Sequence, residues 1–97
     1  MGTLKIVYRK EALSSISKTY DWYVFHMGKG AAQSFIDGIL GTVELLSRMP
    51  SVGTKDERFS TLKTTYYSFL SHPRYRVVYR YTRNCLYVVA IRATRMK

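Results

Sequence analysis

The sequence predicts an α+β fold of order β-α-α-β-β-β, with a helical hairpin on one face of a small, mainly antiparallel sheet. Two observations predict it, and a third marks the sheet as one-signed. Two stretches repeat apolar residues every three or four positions, as helices with one buried stripe do. The last third of the chain instead alternates, and is rich in Tyr, Val and Arg, as strands are. All six acidic residues lie in the first 57 positions, while the 40 that follow hold nine basic residues and no acid.

The elements follow in order. Residues 4–8 (Leu4-Lys5-Ile6-Val7-Tyr8) read as a short strand with Leu4, Ile6 and Tyr8 on one face. A helix opens at Arg9-Lys10-Glu11. Its stripe is Ala12 or Leu13, Ile16, Tyr20, Tyr23 or Val24, and Met27. Gly28 and Gly30 are expected to end it, because glycine tolerates the left-handed cap conformation. The second helix carries Ala32, Phe35, Ile36, Ile39, Leu40, Val43 and Leu46. Gly38 and Gly41 each cost about 1 kcal/mol against Ala inside a helix. Close approach of the two helices is the expected reason for them. Met49-Pro50-Ser51-Val52-Gly53 stops the helix, and a loop is expected as far as Glu57.

Three strands complete the chain. Thr61 to Leu70 suits a strand, and Ser71-His72-Pro73 a turn. From Arg74 to Thr82, Tyr75, Val77, Tyr79 and Tyr81 face one way and Arg74, Arg76, Val78 and Arg80 the other. Arg83-Asn84 connects to a strand at 86–91 that is apolar on both faces. A basic tail, Arg92 to Lys97, follows.

Composition narrows the class. A chain of 97 residues is expected to be one domain, 1–97. Its 14% aromatic content argues against disorder. The single Cys85 forms no internal disulfide and rules out a multi-cysteine zinc site, so a small buried hydrophobe is expected there. No cofactor or metal is expected. No apolar leader precedes the first strand and no run reaches the length of a membrane span, so a cytoplasmic location is expected. The one-signed charge of the second half points to a negatively charged partner.

Several motifs, taken together, resemble a known group. Ile6-Val7-Tyr8 with Ala12, Ala32-x-x-Phe35-Ile36, Leu46 to Gly53, Tyr75-Arg76-Val77-Val78-Tyr79 and Val88-Val89-Ala90-Ile91 occur in the order seen in the RelE/ParE superfamily of bacterial toxins. The resemblance implies a toxin of a type II toxin–antitoxin system, encoded beside an acidic antitoxin that holds it inactive in a hetero-oligomer. RelE-like members cut mRNA on the ribosome; ParE-like members poison DNA gyrase. The superfamily arginine maps to Arg76. The two lysines usual upstream fall near Tyr67 and Phe69, with Lys63 the nearest lysine. Arg95, with Lys97 beside it, takes the C-terminal basic position, and no tyrosine follows Tyr87.

Two site readings follow. A nuclease would draw its catalytic groups from Arg76, Arg92, Arg95, Lys63 and Tyr67. It needs a base for the 2′-hydroxyl and charge for the phosphorane, and the sequence offers the charge more clearly than the base. A binding toxin would grip its target through Arg74, Arg76, Arg92, Arg95, Lys97 and His72. That ParE-like reading is the favoured one, and a non-toxic nucleic-acid module is a further alternative. Trp22 and Tyr23 are the candidates for antitoxin binding, since Trp22 lies off the buried stripe. His26 suits the negative end of the first helix, and neither histidine has a second ligand at metal-binding spacing.

Overall fold

The computed structural model describes residues 3–72 and 75–93, His72 by its backbone alone. Helix α1 spans Lys10–Met27 and helix α2 spans Lys29–Arg48. One residue, Gly28, separates them. It caps both helices with φ 95°, a conformation that costs side-chain-bearing residues strain. Gly28 alone forms the joint, and Gly30, expected to help end α1, lies inside α2. Helix α2 buries Ala32, Phe35, Ile39, Val43 and Leu46, the stripe its periodicity predicts. Helix α1 buries Ala12 and Tyr23. Leu13, Met27 and Leu40 fall off the stripe and are exposed.

The close-approach reading of Gly38 and Gly41 is overturned. A Cβ built on either would meet nothing within 4 Å, and both face solvent.

The strands are β1 (Lys5–Tyr8), β2 (Thr54–Lys55), β3 (Tyr67–His72), β4 (Tyr75–Tyr81) and β5 (Cys85–Ala93). They form one sheet in the order β1-β5-β4-β3-β2. The first strand runs parallel to the last, and the remaining pairs are antiparallel. The crossover through the helical hairpin makes the parallel pairing possible.

Two strand assignments differ from expectation. The loop after Gly53 holds β2, and the strand expected from Thr61 begins only at Tyr67. Local side-chain hydrogen bonds explain the delay. Thr61 Oγ1 accepts the N–H groups of Lys63 (3.2 Å) and Thr64 (3.0 Å), folding the segment into a turn. Ser71 and His72, expected in a turn, continue β3, and Pro73 lies outside the described residues.

The core lies between the hairpin and one sheet face. Val77, Tyr79, Leu86 and Val88 are fully buried there, together with Ile39, Val43 and Leu46 from α2. Full burial of each such aliphatic side chain contributes about 1.5–3 kcal/mol. A bulge in β5 at Val89, opposite the step from Val78 to Tyr79, brings Val88 and Leu86 onto this face, opposite Tyr79 and Tyr81. Cys85 is half-buried rather than buried.

Candidate functional site

The sheet face turned away from the helices carries the charge. Register places Arg76 of β4 directly opposite Arg92 of β5. Like charges in that relation repel, so each needs a local partner or an open path to solvent. Arg76 donates from Nε to Ser68 Oγ on β3 at 3.1 Å. Arg92 donates from Nη2 to Asp56 Oδ2 at 2.7 Å. Among the described residues that is the one ion pair.

Asp56 is the site residue that sequence reasoning missed. It is buried, and its Oδ1 accepts the backbone N–H groups of Arg58 (3.0 Å) and Phe59 (3.2 Å). With Oδ1 so committed, Arg92 contacts the carboxylate at one point only, and Arg92 Nε is buried without an acceptor among the described residues. Asp56 lies 36 positions from Arg92, so no local motif marks the pair. The cleft formed around these groups is about 310 Å³ and is lined also by Lys55, Glu57 and Arg58.

The remaining candidates separate. Tyr67 pairs in register with Tyr79 and lies on the helix face, its ring 5.9 Å from Tyr79 and 5.5 Å from Tyr81. Alternation along the strand therefore turns it away from Arg76 and Arg92, and the expected grouping of the three is corrected. Lys63 sits in the exposed turn closed by Thr61. Arg74, Arg95, Lys97 and the side chain of His72 lie outside the described residues. On the outer face, the Arg80 guanidinium lies 4.3 Å from the centroid of the Tyr87 ring, a cation–π contact.

On the helical hairpin, Trp22 is 46% exposed and stacks on His26 at 4.5 Å. The His26 ring nitrogen Nδ1 is 3.0 Å from the Trp22 carbonyl. Phe25, 85% exposed, meets the same imidazole edge-on. Tyr23, expected on this partner surface, is corrected to the core. It stacks on Phe35 at 5.4 Å, and Tyr75 Oη donates to its hydroxyl at 3.4 Å. The helical period explains the split, because residue 23 continues the Ala12–Ile16–Tyr20 stripe and residue 22 does not. A groove beside Trp22 is lined by Lys18, Thr19, Tyr75 and Ala93.

A helical hairpin on one face of a five-stranded sheet, with paired arginines on the other, defines a small α+β protein whose charged face is free of helices. Residues 6–97 match the family described as ParE toxin of type II toxin–antitoxin system, parDE, and the chain belongs to that family. Among solved structures it is similar to a chain of the chromosomal ParDE TA system from P. aeruginosa. That match has TM-score 0.76 and 16% identity, over 96% of this chain and 98% of that one. It is also similar to the YoeB dimer from Staphylococcus aureus, with TM-score 0.52 and 20% identity over 94% of this chain and 97% of that one. At these identities both likenesses speak to the fold. Among curated proteins none matches the chain. The protein is thus a toxin of a type II toxin–antitoxin system, with the fold its sequence resemblance implied. Among the described residues no helix is long and apolar enough to cross a membrane.

Proposed function

We propose that this protein acts as a ParE-like toxin that binds and inhibits a target such as DNA gyrase, and that an acidic antitoxin encoded nearby neutralises it. The observation that carries the reading is the state of the cleft charges. Arg76 is oriented by Ser68 and has no ion-pair partner among the described residues, while both oxygens of Asp56 are already engaged. Groups so held grip an anionic surface well and transfer protons poorly. Tyr67, which a nuclease would use beside them, is on the other face of the sheet. Arg74, Arg95, Lys97 and His72 would extend the target contact. Trp22 would meet the antitoxin on the hairpin, forming a toxin–antitoxin hetero-oligomer in the cytoplasm.

Purified protein added to a gyrase supercoiling reaction should inhibit it, and Arg76→Ala should relieve the inhibition without unfolding the domain. Unimpaired gyrase, together with mRNA cut in the ribosomal A site during translation in vitro, would replace this reading with the RelE-like one. Glu57, exposed at the cleft rim, would then be the first base to test. Tight binding to RNA with neither effect would favour the non-toxic module.

A further inference from the structure

We propose that the Arg76 guanidinium receives a single carboxylate from an acidic protein segment, and that the cleft already displays that contact internally through Asp56 and Arg92. The inference rests on neutralisation by an acidic partner and names where one of its acids docks.

The chain has six acids, all among the described residues: Glu11, Asp21, Asp37, Glu44, Asp56 and Glu57. Among the described residues only Asp56 forms an ion pair. It satisfies one of the two arginines that face each other across β4 and β5, and the other has no ion-pair partner among the described residues. Ser68 holds Arg76 by Nε, so both terminal amino groups remain to donate side by side. That edge of a guanidinium matches the two oxygens of a carboxylate. Arg76 is half-exposed, so an incoming group can reach it.

The surroundings favour a carboxylate over a nucleic-acid phosphate. Asp56 and Glu57 both line the cleft. A strand carrying one phosphate per nucleotide would run repeated negative charge past them, whereas one acidic side chain brings a single charge to the one guanidinium that Ser68 orients.

The test measures binding of an end-capped serine peptide carrying one glutamate and of thymidylyl-thymidine, which carries one phosphodiester, to the full chain at fixed ionic strength. Arg76→Gln is compared with Arg80→Gln, which removes the same charge from the same face. Arg76→Gln should weaken peptide binding about tenfold or more, as loss of a charge-assisted hydrogen-bond pair does. Arg80→Gln should weaken it no more than about threefold, the effect of one screened charge. Arg76→Lys should lose most of the affinity despite keeping the charge. Equal losses at positions 76 and 80, or full affinity in Arg76→Lys, would reduce the site to general electrostatics and overturn the proposal. Tighter Arg76-dependent binding of the dinucleotide would assign the cleft to phosphate and overturn it too. Because the readout involves no gyrase, failure of the target reading leaves this result standing, and the reverse holds as well.

Discussion

The Tyr79 hydroxyl and the Gly53 backbone close the fold at a point where no side chain fits between them. Tyr79 Oη accepts the Gly53 N–H at 3.0 Å and donates to the Pro50 carbonyl at 2.6 Å. A Cβ on Gly53 would collide with the Tyr79 hydroxyl and lie 2.9 Å from the Ser68 carbonyl oxygen. The contact ties the end of α2 and the start of β2 to the middle of the sheet. It also places the segment that delivers Asp56 to Arg92. Tyr79→Phe should cost about 1–3 kcal/mol, since it orphans both Gly53 N–H and Pro50 C=O. Gly53→Ala should cost at least as much, because backbone as well as the phenol must move. Urea denaturation measures both, and a Gly53→Ala change under 0.5 kcal/mol would show that the loop yields freely.

The same phenol makes stability depend on alkaline pH. Burial, the largest cause, pushes the Tyr79 hydroxyl from near 10 up to about 12, with smaller upward contributions from Tyr81 and Tyr67 and a lowering one from the Gly53 N–H. The folded state therefore holds this proton more tightly than the unfolded chain. Its contribution is complete below pH 10 and is lost as pH rises through about 12. Wild type should lose stability across that window more steeply than Tyr79→Phe. Parallel curves for the two would assign the alkaline loss to other groups.

Three glycines should respond with opposite signs. Gly28 at φ 95° is the whole joint of the hairpin, and Gly28→Ala forces a strained backbone that should cost about 1 kcal/mol or more. Gly38 and Gly41 are helical, exposed and uncrowded. Alanine at either should stabilise by up to about 1 kcal/mol. Thermal denaturation of the three variants decides it, and destabilisation by Gly38→Ala would reveal a packing role for that position after all.

These positions show what was legible in the sequence. Periodicity marked α2 and the alternating β4 because both signals are local and repeat along the chain. Arg76 was legible as one residue inside a family-like stretch. What escaped depends on distant partners. Asp56 meets Arg92 across 36 positions, and Gly53 meets Tyr79 across 26. The two-residue β2 is too short for alternation to show. The turn after Thr61 was hidden by threonine itself, which suits a strand by propensity but here caps a turn with its hydroxyl.

Arg92 should prove structural as well as functional. Asp56 is buried, while the Arg92 side chain is 25% exposed. Removing the cation alone leaves a buried carboxylate held, among the described residues, by two backbone N–H groups. Loss of one partner of a fully buried pair typically costs about 3–5 kcal/mol, and partial exposure of Arg92 lowers that to about 2 kcal/mol. Arg92→Met should therefore lose stability and Arg76→Met very little, although both are expected to lose toxicity. Equal stability in the two would mean that the Asp56–Arg92 contact contributes nothing net to the fold.

Trp22 separates recognition from stability in the other direction. Its ring stacks on His26 and edge-on against Tyr23, but nearly half of its surface faces solvent. Phe25 extends the exposed aromatic surface along the same end of α1. A largely solvent-facing side chain whose one core contact is the edge of Tyr23 should shift stability by no more than about 0.5 kcal/mol when replaced. A tryptophan at the centre of an interface typically contributes 2 kcal/mol or more to binding, about thirtyfold in affinity. Trp22→Ser should thus keep the wild-type melting temperature and toxicity while escaping its antitoxin. Co-expression with its antitoxin, followed by calorimetry of the purified pair, measures both effects. Unchanged affinity would remove Trp22 from the antitoxin surface. A large drop in melting temperature would instead make the His26 and Tyr23 contacts part of what holds α1 in place.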